Sequence, residues 1–243
     1  AAPDGYTIGL ITQTTMSINP YVVKKLPYDP AKDFAPITQV VYNPYVIAAH
    51  AGAPFSDLKS LIAQAKAKPG TITYSTTGNG STNHLGGAQL ELLAGIKLLH
   101  VPFKGSGPAT TAAVSGEVNM VITGPASVAS HVKAGRLKYI AFCDEQRHPN
   151  YPDVPSTGEF GLKGYRAGTW FGIVTSAGTP RQIVATLHKA IVEALADPDL
   201  KSKLTAVGFD IRTQSSPEEF GKFMAEDRAT VARIIKEAGI TFD

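Results

Sequence analysis

The sequence carries a single cysteine, Cys143, in 243 residues. That excludes an intrachain disulfide and any cysteine-rich metal site. Its place at the end of the apolar run Tyr139-Ile140-Ala141-Phe142 marks a buried structural thiol rather than a nucleophile. No apolar run approaches the roughly 18 residues needed to cross a bilayer. The opening Ala1-Ala2-Pro3-Asp4-Gly5-Tyr6-Thr7 has no basic start followed by an apolar stretch, so any export signal is expected to have been removed ahead of it. Charge is sparse as well: charged residues make up 18%, and 23 Lys and Arg stand against 20 Asp and Glu, a net charge of +3. No run of five or more basic residues concentrates that excess, so the basic stripe of a duplex-binding surface is missing and no nucleic-acid partner is expected. None of the six histidines falls in a His-Glu-x-x-His pattern, so no metal and no cofactor are expected.

What is present is a globular composition, 43% hydrophobic, arranged as strands and helices in alternation. Tyr6 to Ile11 reads as a strand, followed by the polar stretch Thr12 to Ser17 and a proline-punctuated connection through Pro27, Pro30 and Pro36. Ile37 to Val41 and Tyr45 to Ala49 read as strands. Leu58, Leu61, Ile62 and Ala65 recur at helical spacing behind Ser56, the expected N-cap, with Pro69-Gly70 as the stop. Strands are expected at 71–75, 96–101, 118–122, 137–143 and 170–174, and helices at about 82–94, from Lys104-Gly105-Ser106-Gly107-Pro108 to Gly116, and at 126–134. Two long amphipathic helices follow, one opening at Thr179-Pro180 and one at Ser216-Pro217-Glu218-Glu219. In the second, Ser216 is the expected cap and Glu219 its capping-box partner. This alternation argues for α/β architecture with a mostly parallel sheet in each of two lobes. Residues 1–45 and 170–243 are expected to form one lobe and 46–169 the other, with a ligand cleft between them.

The stretch with most chemical content is Ser75-Thr76-Thr77-Gly78-Asn79-Gly80-Ser81-Thr82-Asn83-His84. A strand delivers it and a helix leaves it. Glycines permit tight turns and close backbone approach. The hydroxyls of Thr76, Thr77, Ser81 and Thr82 can donate, and the first N–H groups of the helix have no intrahelical partner. Together they form an anion cradle that needs no cationic side chain. Several charge-assisted bonds in parallel would supply micromolar affinity, on the order of 8 kcal/mol. Two other readings compete, a mere helix-capping turn and a nucleotide loop. The second lacks the Gly-Lys-Ser/Thr ending of a P-loop and the later glycine and acidic partner of a dinucleotide fingerprint. Lys104, Ser106 and Thr123 sit at comparable junctions and are candidate second contacts. Thr12, Gln13, Thr14, Thr15, Ser17 and Asn19, after the first strand, suit the distal end of a ligand, and among these Thr14, Thr15 and Ser17 are singled out.

The same residues argue against an enzyme. His84 is the one histidine inside the candidate site, and it is better placed to pack or hydrogen-bond within the loop than to act as a base. Ser81 and Ser106 lack the Gly-x-Ser-x-Gly elbow. Trp170-Phe171 either lines the cleft or fills core, with core the better fit for so large an apolar surface.

Five motifs then match one family in order: A-P-D-G-Y-T, N-P-Y-V-V-K-K-L-P-Y-D-P-A-K-D-F-A-P-I-T, Y-S-T-T-G-N-G-S-T-N-H-L, V-P-F-K-G-S-G-P-A and W-F-G-I-V-T-S-A-G-T-P. The chain resembles the solute-binding receptors of the tripartite tricarboxylate transporter family, the Bug-type receptors. The resemblance implies a two-lobed type II periplasmic binding fold, the Venus flytrap. It implies a non-catalytic receptor in the periplasm of a Gram-negative bacterium, which captures a small carboxylate and delivers it to membrane permease subunits; a monomer is expected. A periplasmic sensor subunit for a membrane kinase, or an enzyme using the same cleft, are the alternatives. Thr76 to Ser81 corresponds to one of two carboxylate loops that the family places in opposite lobes. Members also carry a strand, the other carboxylate loop and a helix ahead of A-P-D-G-Y-T. Without them the first lobe reads as incomplete, with exposed sheet edge and apolar surface, and with weakened or absent binding.

Overall fold

The computed structural model describes residues 1–240. In chain order the elements are β1 (Ile8–Thr12), a π-helical turn (Thr14–Ile18) running into α1 (Asn19–Val22), β2 (Phe34–Pro44), β3 (Val46–His50), α2 (Leu58–Ala67), β4 (Thr73–Thr76), α3 (Thr82–Ala94), β5 (Leu99–Pro102), α4 (Ser106–Ser115), β6 (Met120–Thr123), a 3-10 turn (Pro125–Ser127), α5 (Ala129–Lys133) and β7 (Leu137–Phe142). A 3-10 turn (Thr157–Phe160), β8 (Gly168–Ser176), α6 (Arg181–Leu195), α7 (Pro198–Ala206), β9 (Asp210–Ile211) and α8 (Pro217–Ala238) complete the list. The chain divides into two compact units, Ala1–Asn43 with Thr169–Arg233, and Pro44–Gly168 with Ile234–Ile240.

In the second unit the sheet order is β5-β4-β6-β3-β7. β4 pairs parallel with both β5 and β6, while β3 runs antiparallel to β6 and to β7. Four of the five strands therefore point one way, and β3, the strand that enters the unit, is the reversed one. Successive side chains in a strand face opposite ways, and here both faces are apolar. Ile47, Ala49, Met120 and Ile122 face one buried cluster with Leu58, Leu61, Tyr74 and Leu90. Val46, Ala48 and Val121 face another with Ala112, Ala113 and Phe142. Helices cover both faces as a result, which is why these strands read as continuous apolar runs.

α3 lies unusually close to its sheet. A Cβ at Gly87 would stand 2.3 Å from Cε2 of Tyr74, and one at Gly86 would stand 2.8 Å from Cβ of Ala167. Only glycine fits at either place, so the Gly86-Gly87 pair fixes how deeply the helix and the loop before it sit. Asp57, not Ser56, caps α2. Its carboxylate accepts from Ser60 N at 2.7 Å, and Ser60 Oγ receives the Asp57 N–H at 3.1 Å; a carboxylate is a stronger acceptor than the Ser56 hydroxyl for the free N–H groups of the first turn.

The first unit departs from expectation. Its sheet order is β1-β8-β2-β9. The β1–β8 and β2–β9 pairs are antiparallel, so the expected mostly parallel sheet does not form in this lobe. β1 pairs with β8, about 160 residues on, so its direction is set by where the returning chain enters the unit and not by any local connection. β1 occupies an edge and leaves Ile8 and Leu10 50% and 65% exposed. The core centres on Trp170, which packs edge-on against Phe220 and Phe223 of α8; that aromatic is core, as its size favoured. At the start of α8, Ser216 Oγ accepts from Glu219 N, but the Glu219 carboxylate reaches back to Ser215 rather than to the cap's own N–H.

Candidate anion-binding site

Three junctions meet at one edge of the second unit's sheet. β5, β4 and β6 are adjacent and parallel, so the loops leaving their carboxyl ends lie side by side, the position where open α/β sheets receive ligands. The central junction, between β4 and α3, is the Gly/Ser/Thr stretch. Gly78 and Gly80 hold φ of 134° and 70°, backbone that other residues rarely adopt, and Asn79 between them is exposed. Ser81 is the N-cap of α3 and accepts from His84 N.

The hydroxyls here are engaged with protein, which revises their expected part. Ser81 Oγ donates to Gly78 O at 2.7 Å. Thr77 Oγ1 donates to Asn83 Oδ1 at 2.8 Å, and Asn83 Nδ2 donates to Ile122 O at 2.8 Å, tying the loop through α3 to β6. Thr76, fully buried at the end of β4, bonds His100 Nε2 at 2.6 Å and Gly78 at 3.3 Å. Thr82 Oγ1 pairs with the buried Tyr45 hydroxyl, whose pKa burial pushes up to about 12. These side chains hold the loop's shape. The N–H groups of Asn79, Thr82 and Asn83 have no acceptor among the described residues. The cradle is therefore a set of backbone donors at a helix start, and such donors suit an anion without a fixed counter-charge.

The flanking junctions add less. Ser106, the first residue of α4, and Lys104 before it are exposed; Gly105 is the cap, with no side-chain hydrogen bond, and Phe103 N donates to Thr76 O at 3.0 Å. Thr123 closes β6 and is 4% exposed. His84 is half-buried in the first turn of α3, and its Nδ1 accepts the Gly80 N–H at 3.3 Å. A shallow groove of about 370 Å³, lined by Ala65, Lys66, Glu91 and Ile96 among others, belongs to the opposite edge of this sheet and faces none of these donors.

In the first unit, the polar stretch after β1 is helical rather than a loop. Thr12 and Thr15 exchange backbone-to-hydroxyl bonds, and Tyr28 Oη donates to Thr15 O at 2.6 Å. Thr14 stays partly exposed, while Ser17 is fully buried near the Asp227 carboxylate and offers nothing outward. Gln13 donates to that carboxylate at 2.9 Å and Trp170 at 3.0 Å. Asn83, Tyr45 and His100, missing from the sequence-derived set, are the residues that shape the cradle. Of these, only Asn83 stood within the motif.

Among the described residues, no group of three or more His, Cys, Asp or Glu could hold a metal ion, and no helix is long and apolar enough to cross a membrane. The family model of the tripartite tricarboxylate transporter family receptor matches residues 1–240. A UPF0065 protein from the tcbD-tcbE intergenic region of Pseudomonas sp. (strain P51) is 34% identical over 209 residues, which is 86% of this chain and 62% of that protein. The chain thus spans under two thirds of that relative's length. An adipate-bound protein of R. palustris superposes with a TM-score of 0.87 at 27% identity, covering 100% of this chain and 81% of that one. MatC of Rhodopseudomonas palustris with bound malate gives 0.80 at 28% identity, covering 97% and 81%. The two α/β units have the type II periplasmic binding fold of these structures. With the match running from the first residue to the last described one, the chain belongs to the tripartite tricarboxylate transporter family receptors.

Proposed function

We propose that this protein is an extracytoplasmic receptor that captures a small organic acid and presents it to membrane permease subunits, in the periplasm of a Gram-negative bacterium. One carboxylate of the solute seats on the N–H groups of Asn79, Thr82 and Asn83. Thr76, Thr77, Ser81 and Thr82 keep those donors in place, and Lys104 and Ser106 contribute from the neighbouring junction. The observation that carries this reading is the row of unpaired backbone donors at the head of α3, flanked by two further junctions of the same sheet edge. Relatives bound to adipate and to malate support a dicarboxylate as the solute. The arrangement offers fixed donors rather than a nucleophile or a base, which fits capture without chemistry.

Native mass spectrometry of freshly purified protein, followed by calorimetric titration with malate and adipate, tests it. A co-purified small acid and a dissociation constant in the micromolar range, about 8 kcal/mol, are expected. No retained acid and no heat with any dicarboxylate would remove the receptor assignment.

A further inference from the structure

Two imidazoles stand behind the loop. His84, in the first turn of α3, and His100, on β5, stack with ring centroids 3.9 Å apart and planes 11° from parallel. Each grips a different part of the cradle. His84 Nδ1 accepts the Gly80 N–H. His100 Nε2 shares a hydrogen bond of 2.6 Å with Thr76 Oγ1, which also bonds Gly78. Gly78 and Gly80 flank Asn79, so the two rings fix both sides of the exposed turn.

We propose that this stacked pair positions the carboxylate loop and does so only while both rings are neutral, so that acidification loosens the loop and weakens anion capture. The proposal rests on the reading of the loop as the carboxylate site.

The reason is donor and acceptor arithmetic. A nitrogen that accepts an N–H carries no proton, and protonating His84 at Nδ1 sets two donors against each other. A second charge at stacking distance would repel the first. At His100 the ring's neighbours do not offset this. Tyr74 of β4 faces His100 at 5.1 Å, and burial together with Glu91 of α3 keeps its phenol protonated. Thr76 is neutral. Burial lowers the pKa of His84, and burial with the adjacent imidazole lowers that of His100 to about 4.

The sign follows from linkage. A ring whose pKa is depressed in the ordered loop binds more protons when the loop is loose. The ordered form is therefore fully favoured above the ordinary imidazole value of about 6.5, and loses that advantage as pH falls toward about 4. Simple attraction between an imidazolium and a carboxylate would act the other way and tighten binding in acid, so the direction of the pH dependence discriminates.

The test uses the 243-residue chain labelled with ¹⁵N and free of ligand, titrated from pH 7.5 to 4.5. The Gly80 and Gly78 amide resonances are expected to move with the His84 ring signals, sharing a midpoint below 6.5. Amides that stay still while the ring titrates would overturn the proposal. A second arm measures malate affinity at pH 7.5 and 5 in the wild type and in His84→Asn, where an amide oxygen replaces Nδ1 as a non-titrating acceptor. Protonation of malate itself affects both proteins equally. The wild type is expected to lose about tenfold more affinity on acidification, the worth of one neutral hydrogen bond. Equal pH dependence, or tighter wild-type binding in acid, contradicts the proposal. If the variant does not fold, the wild-type amide titration decides. If no dicarboxylate binds at any pH, the receptor reading fails, while the coupling of Gly80 to His84 is still decided by the ligand-free arm.

Discussion

Replacing Trp170 by alanine is expected to lower the unfolding free energy by about 3–5 kcal/mol, the range for deleting a large buried aromatic. The indole is 1% exposed and is the largest fully buried side chain. It meets Phe220 at 5.8 Å and Phe223 at 5.6 Å, both edge-on, so removal opens a cavity that rings on one rigid helix cannot close. Its Nε1 also donates to Asp227 Oδ2 at 3.0 Å. Burial raises the pKa of Asp227, and its neighbours Ser17, Trp170 and Gln13 oppose that rise, the last two as hydrogen-bond donors. Trp170→Phe separates the two contributions: it keeps most of the packing and loses the donor, for about 1.5–3 kcal/mol. Urea unfolding of both variants measures this. A loss under about 1 kcal/mol for the alanine variant would contradict the role given to this side chain in the first unit's core.

The second large effect is on binding. Asn83→Leu keeps the γ-branched shape, at a larger volume, but removes the acceptor of Thr77 Oγ1 and the donor to Ile122 O. Asn83 is 4% exposed, so water cannot replace either partner. The loop then loses its tie to β6, and its donors must be ordered at the expense of ligand binding. Malate affinity is expected to fall about ten- to a hundredfold, equivalent to about 1.4–2.7 kcal/mol. The measurement is calorimetry at a urea-free condition where circular dichroism shows the variant folded. An unchanged dissociation constant in folded protein would mean that the loop does not need this anchor.

Much of this was legible from residue order alone. The two-sided apolar strands Val46–His50 and Met120–Thr123 announce a covered sheet, because both alternating faces need burial. The helix expected at about 82–94 matches α3, because its ends are set locally, by the Ser81 side chain at the start and by Gly95 in the left-handed region at the stop. Direction within the first sheet was not legible. β8 closes against β1 across more than 150 residues, and no local signal encodes which way such a strand runs. The stretch Thr12 to Ser17 read as a loop because its residues favour caps and turns. The burial of Met16, Ser17 and Ile18, with Met16 in the Trp170 cluster and Ser17 beside Asp227, goes with a helical turn instead.

The site shows the same division. The donor-rich turn was readable from Gly78, Gly80 and Ser81. The split inside it, hydroxyls spent on protein partners and backbone N–H groups left without acceptors among the described residues, was not. It depends on Tyr45, His100 and Ile122, which are distant in sequence and meet the loop only through strand register, as in the Tyr74↔His100 pairing of β4 with β5. A hydroxyl next to a glycine turn looks the same on paper whether it faces solvent or a neighbouring strand.

Amide-resolved titration of the ¹⁵N-labelled protein with malate at pH 7.5 bears most directly on where the anion sits. The largest downfield shifts are expected at the N–H groups of Asn79, Thr82 and Asn83, the donors left without a protein acceptor. Saturable binding whose shifts avoid these three amides and gather elsewhere would contradict the account.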